Sequence, residues 1–204
     1  QGDHSVDRMI DATTVKIGKE QDHVVIDSRL AWHFAPNSFK VFIITDIDEA
    51  SRRVFHDSLR ANSESYESQE TCKRALIHRQ KLETVRYKEV YGIDYYDMSN
   101  YNLVIESTNA SPEEIAQEIL EKMEEYQKGH FERLMELNPS SIHAMNAIDD
   151  EQISVLEKGG VFYLSKGKNQ LDKAVKEGNK FVTVKVSDSE PGGEDSFMNF
   201  SNMK

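Results

Sequence analysis

Short β-branched runs set between longer charged, helix-forming stretches constrain this chain more than any other feature. "HVVID" at 23–27, "FKVFIIT" at 39–45 and "YNLVIEST" at 101–108 each read as a strand. The second is mostly apolar, as expected for a strand covered on both faces. Residues 6–20 read as a helix with an apolar stripe of Val6, Met9, Ile10, Val15 and Ile17. "SRLAWHFAPNS" is a loop or short helix broken at Pro36, and "DEASRRVFHDSLRAN" is a helix after the second strand. Residues 63–69 are polar and loop-like, and a long charged helix is expected from about Glu70 to Tyr91, with Gly92 placed to stop it. "SPEEIAQEILEKMEEYQ" is a helix with Ser111 as its cap, Pro112 in its first turn, and Glu113 and Glu114 at the positive end of its dipole. Strands alternating with helices imply an α/β fold with a parallel sheet. Three strands are few for such a sheet and leave an edge open. The chain also begins "QGDHSVDRMID", without Met, so a βα unit is expected upstream of residue 1.

Past about residue 128 the pattern changes. "LNPSSIHAMNAIDDEQI" is a loop-rich lead-in, and "SVLEKGGVFYLSKGKNQLDKAVKEGNKFVTVKV" reads as strand, Gly-Gly turn, strand, helix, strand. The expected organisation is therefore an α/β domain over 1–126, a small α+β module over 127–186, and an acidic tail over 187–204 that is expected to be disordered.

At 204 residues, 30% charged and 38% hydrophobic, the chain has enough apolar residues for a core. No apolar run approaches the ~18 residues that span a bilayer, and no basic segment followed by an apolar stretch marks a signal peptide. Cys72 is the sole cysteine, so no disulfide forms within the chain, which fits a reducing cytoplasm. The net charge of −11 argues against general nucleic-acid binding. It leaves room for a polyanionic small ligand, because a few arginines make a local positive pocket.

Arg79, Glu83 and Arg86 are spaced i, i+4, i+7 and share one helix face. By spacing alone they are an exposed ion-pair ladder sooner than a phosphate clamp. Arg29 follows the first β-branched run, at the carboxyl end of a strand, where ligands sit in an open α/β sheet. There it is either a bidentate phosphate ligand or the partner of Asp27 or Asp48. Arg52 and Arg53, one turn into the next helix, read as a solvated face, and Arg8 sits between Asp7 and Asp11. His4, His23, His33, His56 and His78 have no metal-ligand spacing. The chain contains no G-x-x-x-x-G-K-[ST], so the backbone cradle for a donor nucleotide's phosphates is missing. G-x-S-x-G, H-E-x-x-H and C-x-x-C are absent too.

"VDRMIDATTVKI", "HVVIDSRLAWHF", "FKVFIITDIDEASRRV" and "HRQKLETVRYKEVYGIDYYDMSNYNLVIESTNASPEEIAQEIL" together resemble the archaeal-type cytidylate kinases, in order and with compatible spacing, over about residues 6–121. The most specific part is "RYKEVYGID" followed by "YNLVI" and "SPEEIA". The resemblance implies a P-loop α/β kinase fold and transfer of the ATP γ-phosphate to a pyrimidine nucleoside monophosphate, with Mg²⁺. It implies that Arg29 contacts the acceptor monophosphate and that Arg79 and Arg86 are lid arginines holding phosphates during transfer. Glu83 is then the acidic residue that orders the lid or reads the acceptor, and Arg52 or Arg53 lies near the lid's base. Three departures stand out. The P-loop is absent, Ser28 stands where glycine is usual, and Gln80, Lys81 and Leu82 dilute a more acidic lid. The ATP site is thus expected outside this chain, which as given is expected not to transfer phosphate. The alternative is a non-catalytic nucleotide-binding or regulatory protein. The stretch 137–186 more faintly resembles a ParB-like (sulfiredoxin-like) domain. "GKNQ" at 167–170 replaces the G-x-H-R of members with nucleotide chemistry, which implies a degenerate docking module; Lys168 keeps the option of meeting an anion.

Overall fold

Helix α1 (Ser5–Glu20) and the single-turn α2 (Ala31–Phe34) begin the chain, and strand β1 (Val41–Ile44) follows. The computed structural model describes residues 5–57, 65–130, 134–143, 147–158 and 160–187. His4, the end of the helix expected to reach Asn62, and the expected tail beyond Ser187 lie outside them. The chain forms two compact units: residues 1–41 with 47–102, and residues 42–46 with 103–204. The expected boundary at 126/127 falls inside the second unit.

The first unit is helical. α3 (Ile47–His56) packs on α4 (Gln69–Tyr91). Ser68 caps α4, its hydroxyl accepting from the Thr71 amide, and Gly92 ends it in the left-handed region at φ 72°. Lys73 of α4 reaches Asp48 at 2.5 Å, and the Gln69 amide donates to the Asp48 carbonyl. α1 approaches α2 closely enough that a Cβ on Gly18 would lie 2.8 Å from that of Ala35. Leu30, Ala35, Cys72, Tyr95, Met98 and Tyr101 are buried. The strand expected at 23–27 does not form: those residues belong to no strand, and Val25 is 98% exposed. A β-branched run has strand propensity, but a strand needs a partner to pair with, and this run has none in a helical unit.

The second unit is built on a seven-stranded sheet in the order β1-β2-β3-β7-β5-β6-β4. Here β2 is Leu103–Glu106, β3 Leu134–Leu137, β4 Ile142–His143, β5 Ser154–Lys158, β6 Val161–Lys166 and β7 Val182–Val186. The expected parallel sheet is in fact mixed. β2 pairs with β3 in parallel (Val104 opposite Met135), β3 with β7 antiparallel (Met135 opposite Val184), and β5 with β6 antiparallel. The Gly-Gly hairpin, helix and final strand expected after residue 153 all form, as β5, β6, α6 (Lys168–Glu177) and β7. Leu103, Val104, Ile105, Met135, Leu137, Val155, Leu164 and Val184 make the core. Burying eight such side chains, at about 1.5–3 kcal/mol each, is the main favourable term for this unit.

α5 (Pro112–Gln127) starts on a complete capping box: Ser111 accepts from the Glu114 amide, and Glu114 accepts from that of Ser111. Its Lys122 reaches down to Glu136, a buried carboxylate on β3, at 3.1 Å, and Thr183 of β7 donates to the same carboxylate at 2.7 Å. At the carboxyl end of β2 the buried Glu106 accepts from the Asn138 amide (3.0 Å) and the Ser141 hydroxyl (2.6 Å). Among the described residues no helix is long and apolar enough to cross a membrane.

Candidate functional site

The long helix α4 has no strongly apolar face, so its charged residues are available to neighbouring elements. Two of those elements use them. Arg29, in the turn before α2, places Nε 2.8 Å from Glu83 Oε2. Asp7, in the first turn of α1, receives Arg86: one guanidinium nitrogen, Nη2, donates to both carboxylate oxygens at 2.6 Å. The exposed ladder within one helix is therefore not what forms around Glu83 and Arg86. Both reach across to other elements, and Arg29 chooses neither Asp27 nor Asp48. Arg79 lies half-buried on the same helix.

Three tyrosines complete this face, and the sequence reading assigned them no role. Tyr91 donates to Asp11 at 2.9 Å, and Tyr95, buried beyond the helix end, donates to Glu83 at 3.5 Å. Tyr87 sits edge-on to Tyr95 at 5.2 Å and tilted to Tyr91 at 6.3 Å. Part of the signal was present in "RYKEVYGIDYY": Tyr87 and Tyr91 are four residues apart, the spacing of one helix face, while Tyr95 joins them from beyond the Gly92 stop. The Tyr101 hydroxyl donates to the Tyr95 backbone carbonyl and anchors the chain there.

The electrostatics follow from these contacts. Burial, then the hydrogen bond to Asp11, pushes Tyr91 up to about 12. Burial, then the charge of Glu83, pushes Tyr95 up to about 12. Tyr87 rises by burial and by Glu83. All three phenols are protonated near neutrality, and Tyr91 and Tyr95 act as donors. The Asp7 carboxylate raises Arg86 further above its ordinary value. Two guanidiniums, Arg29 and Arg86, thus stand among three carboxylates, Asp7, Asp11 and Glu83.

Arg52 and Arg53 remain on α3, both bound to Glu49 of their own helix at 2.7 Å. Arg52 and then Arg53 hold that carboxyl down at about 2.

In the second unit a concavity of about 370 Å³ opens beside α6 and β7, lined by Gln152, Gln170, Lys173, Glu177, Asn179 and Phe181. It is remote in chemistry from the arginine face and contains none of the expected phosphate ligands. The start of α6 is filled from within the chain: Asn169 bonds the Asp149 carboxylate through its backbone and its side chain, and Lys168 pairs with Asp172 at 3.0 Å.

A cytidylate kinase of Methanosarcina acetivorans is 37% identical over 108 residues, covering 52% of this chain and 57% of that protein. The cytidylate kinase of Methanococcoides burtonii is 31% identical over 108 residues, covering 53% and 58%. An S-adenosylmethionine-dependent nucleotide dehydratase of Lacinutrix mariniflava is 32% identical over 110 residues, covering 54% of this chain and 21% of that larger protein. The chain spans little more than half the length of the two cytidylate kinases. No solved structure gives a significant match. The model of the cytidylate kinase-like family covers residues 2–109, which hold Asp7, Arg29, Glu83, Arg86 and the three tyrosines, and the chain belongs to that family.

Proposed function

We propose that the α4 face is the acceptor side of a nucleoside monophosphate kinase and binds a pyrimidine nucleoside monophosphate of the CMP class. The observation that carries this reading is that Arg29, from the turn before α2, meets Glu83 on the α4 face that also carries Arg86, in a chain of the cytidylate kinase-like family. Guanidinium forks suit a phosphate monoester, which presents paired oxygens to them. In this reading Arg29 and Arg86 take the acceptor's phosphate, with Arg79 beside them on α4. Glu83 and its phenol donor Tyr95 orient Arg29 and offer an acceptor for a base amine. Arg52 and Arg53 support the face from α3 as charge, not as ligands.

Phosphoryl transfer needs positioning and charge neutralisation more than covalent help from the protein. This chain supplies them on the acceptor side. ATP with Mg²⁺ would supply the phosphoryl group and neutralise it. The residues present do not fit that donor. The 204 residues include no glycine-rich phosphate loop, and among the described residues no His, Cys, Asp or Glu group gathers to hold a metal ion.

A second reading, supported by the contacts at the start of α6, is a non-catalytic nucleotide-binding or regulatory protein that uses this pocket. In it, residues 127–186 are a degenerate ParB-like docking module. The Asp149 carboxylate at the start of α6, in the place of an external anion, supports docking over nucleotide chemistry there.

Calorimetric titration of the chain with CMP, UMP, AMP and GMP, followed by a coupled assay with ATP and Mg²⁺, tests both. CMP or UMP is expected to bind, with about tenfold or greater loss on Arg29→Ala or Arg86→Ala. No turnover is expected from this chain alone. Failure of every monophosphate to bind overturns the acceptor-site reading.

A further inference from the structure

The guanidinium expected to meet the acceptor's phosphate already holds an anion. Arg86 Nη2 contacts both oxygens of Asp7 at 2.6 Å, a geometry a phosphate's oxygens reproduce. A phosphate that takes both N–H groups of Nη2 displaces the Asp7 carboxylate from them. The surroundings sharpen the competition. With Asp7, Asp11 and Glu83 set against Arg29, Arg79 and Arg86, the face has no net positive charge to offer an incoming dianion until one carboxylate withdraws.

The three carboxylates are not equally able to do so. Glu83 is on α4 itself and is held by Arg29 and by Tyr95. Asp11 lies inside α1 and is held by the Tyr91 phenol. Asp7 is in the first turn of α1, on a different helix from Arg86. A rotamer change at that position, or fraying of the first turn, withdraws it without disturbing α4.

We infer that Asp7 is a built-in competitor of the substrate: its carboxylate occupies the phosphate position on Arg86 in the ligand-free chain and is exchanged for the ligand's phosphate on binding. This rests on the reading of Arg86 as a phosphate ligand. The exchange lowers apparent affinity by the fraction of molecules in which the pair is open. The penalty falls only on ligands whose phosphate must displace the carboxylate; the bare nucleoside, which does not meet Arg86, is unaffected.

The test is calorimetric titration of the full 204-residue chain with CMP and, separately, with cytidine, alongside Asp7→Asn, Asp7→Glu, Arg86→Ala and the Asp7→Asn/Arg86→Ala pair. Thermal melts confirm that each variant is folded. Asp7→Asn is expected to bind CMP about two- to fivefold tighter, the range set by an exposed ion pair. Cytidine affinity is expected to stay put, Asp7→Glu to behave as the parent, and the gain to vanish when Arg86 is alanine. A parent chain that binds CMP and an Asp7→Asn chain that binds it equally or more weakly overturns the exchange and leaves Asp7 as a tether between α1 and α4. CMP binding by neither chain removes the acceptor-site reading itself, and the exchange with it.

Discussion

Arg29 lies 2.8 Å from Glu83, and this ion pair ties the turn before α2 to the middle of α4. The Arg29 side chain is half exposed, so the pair is screened by solvent and contributes under about 1 kcal/mol to stability. Its expected importance is orientation. Arg29→Ala and Glu83→Ala are each expected to shift the urea midpoint only slightly. Both are expected to weaken CMP binding, Arg29→Ala by about tenfold or more, because a charge-assisted hydrogen bond is lost. Arg29→Lys keeps the charge but not the fork and is expected to rescue stability without affinity. Equal, large losses of stability and binding would instead make the pair a structural clasp.

The Tyr91–Asp11 contact makes a prediction at alkaline pH. With its phenol pushed up to about 12 against an ordinary 10, Tyr91 keeps its proton longer in the folded chain than in the unfolded one. The stability this contributes is whole below pH 10 and drains away as the pH rises through about 12. Asp11→Asn removes the carboxylate but not the burial that is the larger cause, so the midpoint is expected to fall only partway towards 10. Ring-carbon chemical shifts of Tyr91 followed against pH measure this directly. A midpoint at the ordinary value in the parent chain contradicts the buried contact.

In the second unit the decisive polar contact is Lys122 with Glu136. Glu136 is 2% exposed and receives Lys122 at 3.1 Å and Thr183 at 2.7 Å. Removing the lysine leaves a buried carboxylate with one hydroxyl donor. Lys122→Ala is therefore expected to cost about 3–5 kcal/mol in denaturant melts. Replacing both, as Lys122→Met with Glu136→Leu, is expected to recover most of it, since an apolar pair needs no desolvation of charge. A double variant as unstable as the single one would show that the carboxylate is needed for its own hydrogen bonds.

These contacts show what could be read in advance. α5 was legible because every local signal agrees: Ser111, Pro112 and Glu114 are cap, first turn and box. Strands β5, β6 and β7 were legible for the same reason. Residues 23–27 misled because β-branched propensity is a preference for a pleated, half-buried surface, and Val25 faces solvent. Strand β3 was missed in the opposite direction. "LMEL" is made of good helix formers, and its glutamate is buried only because Lys122 and Thr183 arrive from elsewhere in the chain. In the candidate site, α4 and the Arg79, Glu83, Arg86 spacing were legible. Their partners were not, because Asp7 and Arg29 belong to distant segments and pair through tertiary packing. The family resemblance singled out the arginines and Glu83 but said nothing of Asp7, which occupies Arg86.

Two glycines at the ends of α6 separate steric need from conformational convenience. Both adopt positive φ, 81° at Gly167 and 70° at Gly178. A Cβ on Gly167 would lie 2.8 Å from both the Gln152 carbonyl oxygen and the Ile153 Cα, backbone atoms that cannot step aside. A Cβ on Gly178 meets nothing within 4 Å. Gly178→Ala is expected to cost only the left-handed penalty, about 1 kcal/mol. Gly167→Ala adds a backbone overlap and is expected to cost at least about 2–4 kcal/mol, loosening the start of α6 from the Gln152–Ile153 segment. Parallel urea melts of the two variants check this. A Gly167→Ala loss no larger than that of Gly178→Ala would mean that α6 does not press on that segment, and that the Asp149 cap alone holds its first turn.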